Sequence, residues 1–84
     1  MVEDRLLPQD KPLVMLHNLG IVEARVAKSI GELAHLLLTN TEDLKKVLSD
    51  HEKTGYVRCL VKETGERFYY LTGLGILKVC SSFS

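Results

Sequence analysis

The stretch from Ser29 to Val57, SIGELAHLLLTNTEDLKKVLSDHEKTGYV, decides how this chain folds. It opens on Ser29-Ile30-Gly31-Glu32, a capping-box pattern in which the serine hydroxyl accepts from an orphan helix amide and the glutamate reaches back to the serine amide. A helix therefore starts at Ser29, with Leu33, Leu36 and Leu37 along one side. Thr39-Asn40 stops it, because both side chains compete with helical bonding and favour caps. Asn40 with Asp43 three residues on begins another helix, and Glu42 and Asp43 sit favourably at its positive dipole end. Its expected buried stripe is Leu44, Val47, Leu48 and His51, which leaves Thr41, Lys45, Lys46, Ser49 and Lys53 on the exposed side. Gly55 ends it, since glycine enters the left-handed conformation after a helix without a side-chain penalty.

Working outward, Tyr56 to Lys62 and Arg67 to Leu71 are β-rich runs joined around Glu63-Thr64-Gly65-Glu66, which reads as a hairpin with a glycine-bearing turn. Beyond it, Leu74, Ile76, Leu77, Val79, Cys80 and Phe83 make a short helical segment that is apolar on more than one side. Upstream, Asp10 carries an N-cap signal and Pro12 suits a first helical turn. Leu13, Leu16 and Leu19 follow at helical spacing as far as Gly20, giving a helix over residues 11 to 19. Ile21 to Lys28 fits a helix continuation or a short strand equally well. Residues 1 to 9 read as a flexible arm. The expected fold class is α+β: three helices, a β-hairpin and a C-terminal helix, in a single domain over residues 1 to 84.

Composition narrows the function classes. Hydrophobic residues at 45% and charged residues at 26% are globular proportions and argue against disorder. No apolar run reaches the roughly 20 residues of a membrane-spanning helix, and Glu3, Asp4 and Arg5 stand where a signal peptide would be apolar, so a cytoplasmic protein without membrane contact is expected. Cys59 and Cys80 match neither a disulfide framework nor a metal pair and are expected as buried or half-buried free thiols. Eleven basic residues balance eleven acidic ones, so a polyanion would have to be met by a local basic stripe and not by a long-range field.

Leu33-Ala34 through Leu48, followed by His51, Gly55, Tyr56 and Val57, resembles the small archaeal and bacterial winged helix-turn-helix regulators, the group that includes the MarR-like and ArsR-like families. Tyr70-Leu71-Thr72 with Gly75 and Ile76 is similar to the way these families lead the second wing strand into a closing helix. The resemblance covers residues 29 to 79. It implies a winged helix-turn-helix domain in which one helix braces a recognition helix and the hairpin forms the wing. Two positions depart from the pattern. Leu38 stands where the turn between the two helices usually has glycine, so it must take another conformation or bear left-handed strain. His51 stands where a core leucine is expected, and reads as a core histidine held by a hydrogen bond or as part of a dimer face.

A major groove exposes base edges with a distinct donor and acceptor pattern, and an α-helix fits it. Thr41, Lys45, Lys46 and Ser49 are the expected base-reading and phosphate-contacting face of the recognition helix. Arg58, Lys62 and Arg67 are the expected wing contacts along the backbone or minor groove. Glu63 and Glu66 flank the wing tip, and Asp50 and Glu52 share the recognition helix, so binding should be salt-sensitive with few phosphate contacts per subunit. The expected function is thus a sequence-specific transcriptional regulator whose partner is double-stranded DNA. The apolar C-terminal segment suggests a homodimer, with Leu74, Leu77 and Phe83 at its interface. The alternative is a winged-helix module that binds another protein and no nucleic acid. No catalytic constellation is present, so no enzyme is expected. His17, His35 and His51 come from three expected helices without metal-ligand spacing, so neither metal nor cofactor is expected.

Overall fold

The computed structural model describes residues 8–82, with side chains from residue 9 to residue 81. Phe83 and most of the expected arm lie outside the described residues. Four α-helices and three strands follow in the order α1 (Lys11–Asn18), β1 (Lys28–Ser29), α2 (Ile30–Leu36), α3 (Thr41–Thr54), β2 (Val57–Val61), β3 (Arg67–Leu71) and α4 (Gly73–Ser82). Short 3-10 turns at Pro8–Asp10 and Ala24–Val26 complete the described elements.

The Ser29, Asn40 and Gly55 caps are formed, but the Glu32 carboxylate lies 4.0 Å from Lys28 Nζ and does not return to the Ser29 amide, so only half of the capping box is made. Ser29 Oγ accepts from the Glu32 amide at 3.2 Å, and Asn40 Oδ1 accepts from the Asp43 amide at 2.8 Å. The Asn40 side-chain amide also donates to Asp43 at 3.0 Å, so cap and first turn hold each other. Gly55 closes α3 at φ 91°. Asp10 precedes α1 as expected, but its backbone is helical and its side chain caps nothing, so α1 begins on Pro12 and on its own packing. The undecided stretch before Ser29 resolves into a 3-10 turn and the strand β1, which pairs with β3 through Lys28 opposite Tyr69 and Ser29 opposite Phe68. The sheet is therefore three-stranded and antiparallel, in the order β1-β3-β2. Four helices with such a sheet make an α+β arrangement consistent with a winged helix.

The four helices and the strands β2 and β3 contribute to one core: Leu13 and Leu16 of α1, Leu33 and Ala34 of α2, Leu44 and Leu48 of α3, Val57 of β2, Tyr69 and Leu71 of β3, and Val79 of α4. Burying each leucine fully contributes roughly 1.5 to 3 kcal/mol. The α1 and α4 helices pack against each other, which places Leu13 and Leu16 inside the protomer and not on a face free for another chain. Only the outward stripe of α4 remains exposed, with Leu74 at 51% and Leu77 at 65% of their surface open. Cys59 is half-buried, as expected. Cys80 departs from expectation: it is exposed, because α4 turns Val79 inward and its neighbour outward.

Leu38 bears the strain foreseen for it, at φ 55° with 93% of its surface open. A leucine there gains almost nothing from burial, while the left-handed conformation costs a non-glycine residue roughly 1 to 2 kcal/mol. Leu38→Gly should therefore stabilise the protein by up to about 1 kcal/mol once glycine's greater unfolded-state entropy is subtracted. A urea melt with unchanged slope and a raised midpoint is the expected observation.

Candidate nucleic-acid interface

The capping asparagine and the terminal glycine fix where α3 begins and ends, and its buried Leu44, Leu48 and His51 fix which side faces out. Thr41, Lys45 and Lys46 are exposed on that outer side and Ser49 is half-buried beside them. All four expected recognition-helix residues thus share a surface. Val47, expected in the buried stripe, is half-buried at its margin.

The expected wing cations divide between the two faces of the sheet. Successive side chains of a strand point to opposite sides. Arg67, Tyr69 and Leu71 therefore point one way on β3, with Cys59 directly opposite Tyr69 on β2. This is the face toward α3, where Arg67 and Tyr69 line a groove together with Lys45, Lys46 and Ser49. Arg58 pairs with Tyr70 and Leu60 with Phe68, so these four point the other way. Lys62 belongs with them: its Nζ lies 4.3 Å from the centre of the Phe68 ring, a cation–π contact. Arg67 alone among the three joins α3.

Glu42, Asp50 and Glu52 also line that groove, so its three cations Lys45, Lys46 and Arg67 meet three carboxylates. A pattern of alternating charge holds a polyanion less firmly than a basic stripe would, but it offers both donors and acceptors to base edges. At the groove's floor, burial pushes the Tyr69 phenol up to about 12, Cys59 beside it adding to the rise and Arg67 opposing it. The Arg67 guanidinium is in turn raised by its hydrogen bond to Tyr69. A phenol whose folded value lies above its unfolded one stabilises the fold fully below about pH 10. That contribution declines as pH rises from about 10 toward 12, because the unfolded chain releases the proton first. Alkaline melts should show Tyr69→Phe losing less stability than the parent across that window.

The far end of α3 is tied to its neighbours by polar contacts. His51, buried, gives its Nε2–H to the Gln9 carbonyl at 2.5 Å, an acceptor that fixes the tautomer, and its ring lies 5.9 Å from that of Tyr56. Thr72 donates from its hydroxyl to the Gly55 carbonyl at 2.5 Å or the Tyr56 carbonyl at 3.0 Å, and accepts from the Gly75 amide at 3.1 Å. The same threonine therefore joins the end of α3 to the start of α4. Sequence reasoning found His51 as a departure but missed Gln9, which takes part through its backbone carbonyl, and the bonding of Thr72, whose carbonyl acceptors lie 17 and 16 residues back in the chain. It also missed Tyr69, although strand alternation from Arg67 carries that signal.

His17, His35 and His51 lie on α1, α2 and α3, and among the described residues no three histidine, cysteine, aspartate or glutamate side chains gather as metal ligands. No helix among the described residues is long and apolar enough to cross a membrane.

No protein-family model matches the sequence, and no curated relative does. Among solved structures the chain is similar to the heme sensor protein PefR, crystallised in complex with heme and carbon monoxide, at 23% identity and a TM-score of 0.71. That likeness covers 98% of this chain and 54% of the other, so the chain spans about half the length of the protein it resembles. At this identity the likeness speaks for the fold.

Proposed function

We propose that this chain is a sequence-specific DNA-binding transcriptional regulator of the winged helix-turn-helix type. The observation that carries the reading is the groove that Lys45, Lys46 and Ser49 on the outer face of α3 share with Arg67 of β3, with Thr41 in an adjoining cleft beside the same Lys45 and Arg67. In this reading α3 enters the major groove, Thr41 and Ser49 bond base edges or phosphates, and Lys45, Lys46 and Arg67 contact phosphates. Arg58 and Lys62, on the far face of the sheet, stay outside this contact. The likeness in fold to a heme sensor protein agrees with a regulatory role. The heme is a property of that protein and is not carried over to this chain.

The protein acts as a homodimer in this reading, its two-fold axis matching palindromic half-sites. Support comes from the open Leu74 and Leu77 on α4, which face away from the protomer's own core. Phe83, the third residue assigned to that interface, falls outside the described residues.

Fluorescence anisotropy against random duplex DNA at two salt concentrations tests the reading, with the Lys45→Ala, Lys46→Ala double variant alongside. The parent should bind with strong salt dependence, and the variant should bind more weakly with a salt slope lower by about 2, one for each phosphate contact removed. A folded protein that ignores duplex DNA at low salt would favour the second reading, a winged-helix module for a protein partner. The equal numbers of cations and carboxylates in the groove are the observation behind that alternative.

A further inference from the structure

We infer that the outer face of the sheet, turned away from α3, is a separate binding surface for single-stranded DNA. Cross-strand register places Arg58 beside Tyr70 and Leu60 beside Phe68 on this face, and the Lys62 ammonium over the Phe68 ring puts Lys62 there too. Phe68 and Tyr70 are half-buried, while Arg58, Leu60 and Lys62 are exposed. Neither Arg58 nor Lys62 meets a carboxylate among the described residues.

Charge separates the two surfaces. In the α3 groove three cations face three carboxylates, whereas on the outer face two cations stand with one acid, Glu66, which lies across the hairpin from Lys62. A protein with no net charge thus keeps a small positive excess on a face away from its α3 groove. The aromatic rings decide which polyanion fits. Paired bases in a duplex are stacked on one another and offer no free ring face to Phe68; Tyr70 packs against the core and serves as the floor of the patch. An unpaired strand can turn a base onto Phe68 as the Lys62 ammonium moves from the ring to a phosphate beside it, the combination used by stacking platforms for single strands. An acidic peptide would satisfy Arg58 and Lys62 but leave the rings without a partner of their own kind. Of the five, Arg58 and Lys62 are engaged by phosphates in this arrangement and only the Tyr70 phenol remains to both donate to and accept from a ribose 2′-hydroxyl, so we assign DNA over RNA.

The surface is distinct from the α3 groove, so it stands or falls separately from duplex recognition. The test is anisotropy of a labelled 20-nucleotide mixed-sequence DNA strand with the intact protein. Three variants accompany it: Arg58→Ala with Lys62→Ala, Phe68→Leu, and Lys45→Ala with Lys46→Ala. Circular dichroism melts confirm that each variant is folded. Phe68→Leu keeps an apolar side chain at the position while removing the stacking face, so it separates stacking from packing. Salt-dependent binding should weaken by about tenfold or more in the Arg58/Lys62 variant and about fivefold or more in Phe68→Leu, and stay unchanged in the Lys45/Lys46 variant. Four results would overturn the proposal: no binding at low salt, indifference to the Arg58/Lys62 change, displacement by unlabelled duplex as effective as by the single strand, or tighter binding to the RNA of the same sequence.

Discussion

Replacing Gly75 by alanine is expected to be the most damaging single-methyl change in the protein. A Cβ at that position would lie 2.2 Å from the Tyr56 carbonyl oxygen and 2.5 Å from a methyl of Leu71. The leucine could swing aside, but the carbonyl belongs to the backbone leading into β2 and accepts from the Thr72 amide at 2.9 Å. Relief therefore requires α4 to lift from the α3–β2 connection, which would break the Thr72 contacts and loosen Val79 in the core. Overpacking with backbone displacement costs about 3 kcal/mol at the upper end of its usual range. In a domain of this size that is a fall in melting temperature of roughly 12 to 24 °C. Calorimetry or a circular dichroism melt checks it, and a loss under about 1 kcal/mol would mean that α4 docks more loosely than described.

Leu48→Ala is expected to cost as much or more, for the opposite reason. Leu48 is completely enclosed, near the middle of α3, within the cluster that joins all four helices to the sheet. Alanine removes apolar surface and leaves a cavity that the surrounding elements can fill only by moving the recognition helix. The expected cost is about 2 to 5 kcal/mol, read as a lowered urea midpoint. Because the cavity sits beneath the face that carries Lys45 and Ser49, the proposed function adds that duplex binding measured well below the melting temperature should also weaken, although none of the residues proposed to contact DNA has changed. Leu16→Ala, enclosed to the same degree but on α1, should cost similar stability and leave binding by the folded fraction intact.

The helical half of the fold was legible because its signals are local. Ser29, Asn40 and Gly55 each act within a few residues of themselves, and the structure uses all three as caps. Leu38 was legible for the same reason: a leucine at a position suited to glycine announces its own strain. The strand β1 was not, because two residues have no period and exist as a strand only through pairing with β3, some forty positions away. The site was half visible. Helical spacing grouped Thr41, Lys45, Lys46 and Ser49, but grouping Arg58, Lys62 and Arg67 as one wing overlooked the pleat, which sends Arg67 to one face and the other two to the opposite one. The acids lining the groove were visible as charges and not as neighbours, since only the packing of α3 on the sheet brings Glu42 and Arg67 to the same cleft.

The contacts at the end of α3 have a mechanical consequence. His51 ties that end to Gln9, ahead of α1, Thr72 ties the following turn to α4, and Leu44, one turn from the other end, is held in the core with α2 packed alongside. The 14 residues of the helix span about 21 Å at 1.5 Å per residue. A tilt of about 5° would move one end by roughly 2 Å over that length, the scale of a small interface shift that switches other proteins. Gripped at both ends, α3 can make such a tilt only if α1, α2 and α4 move with it, so its outer face travels with the core.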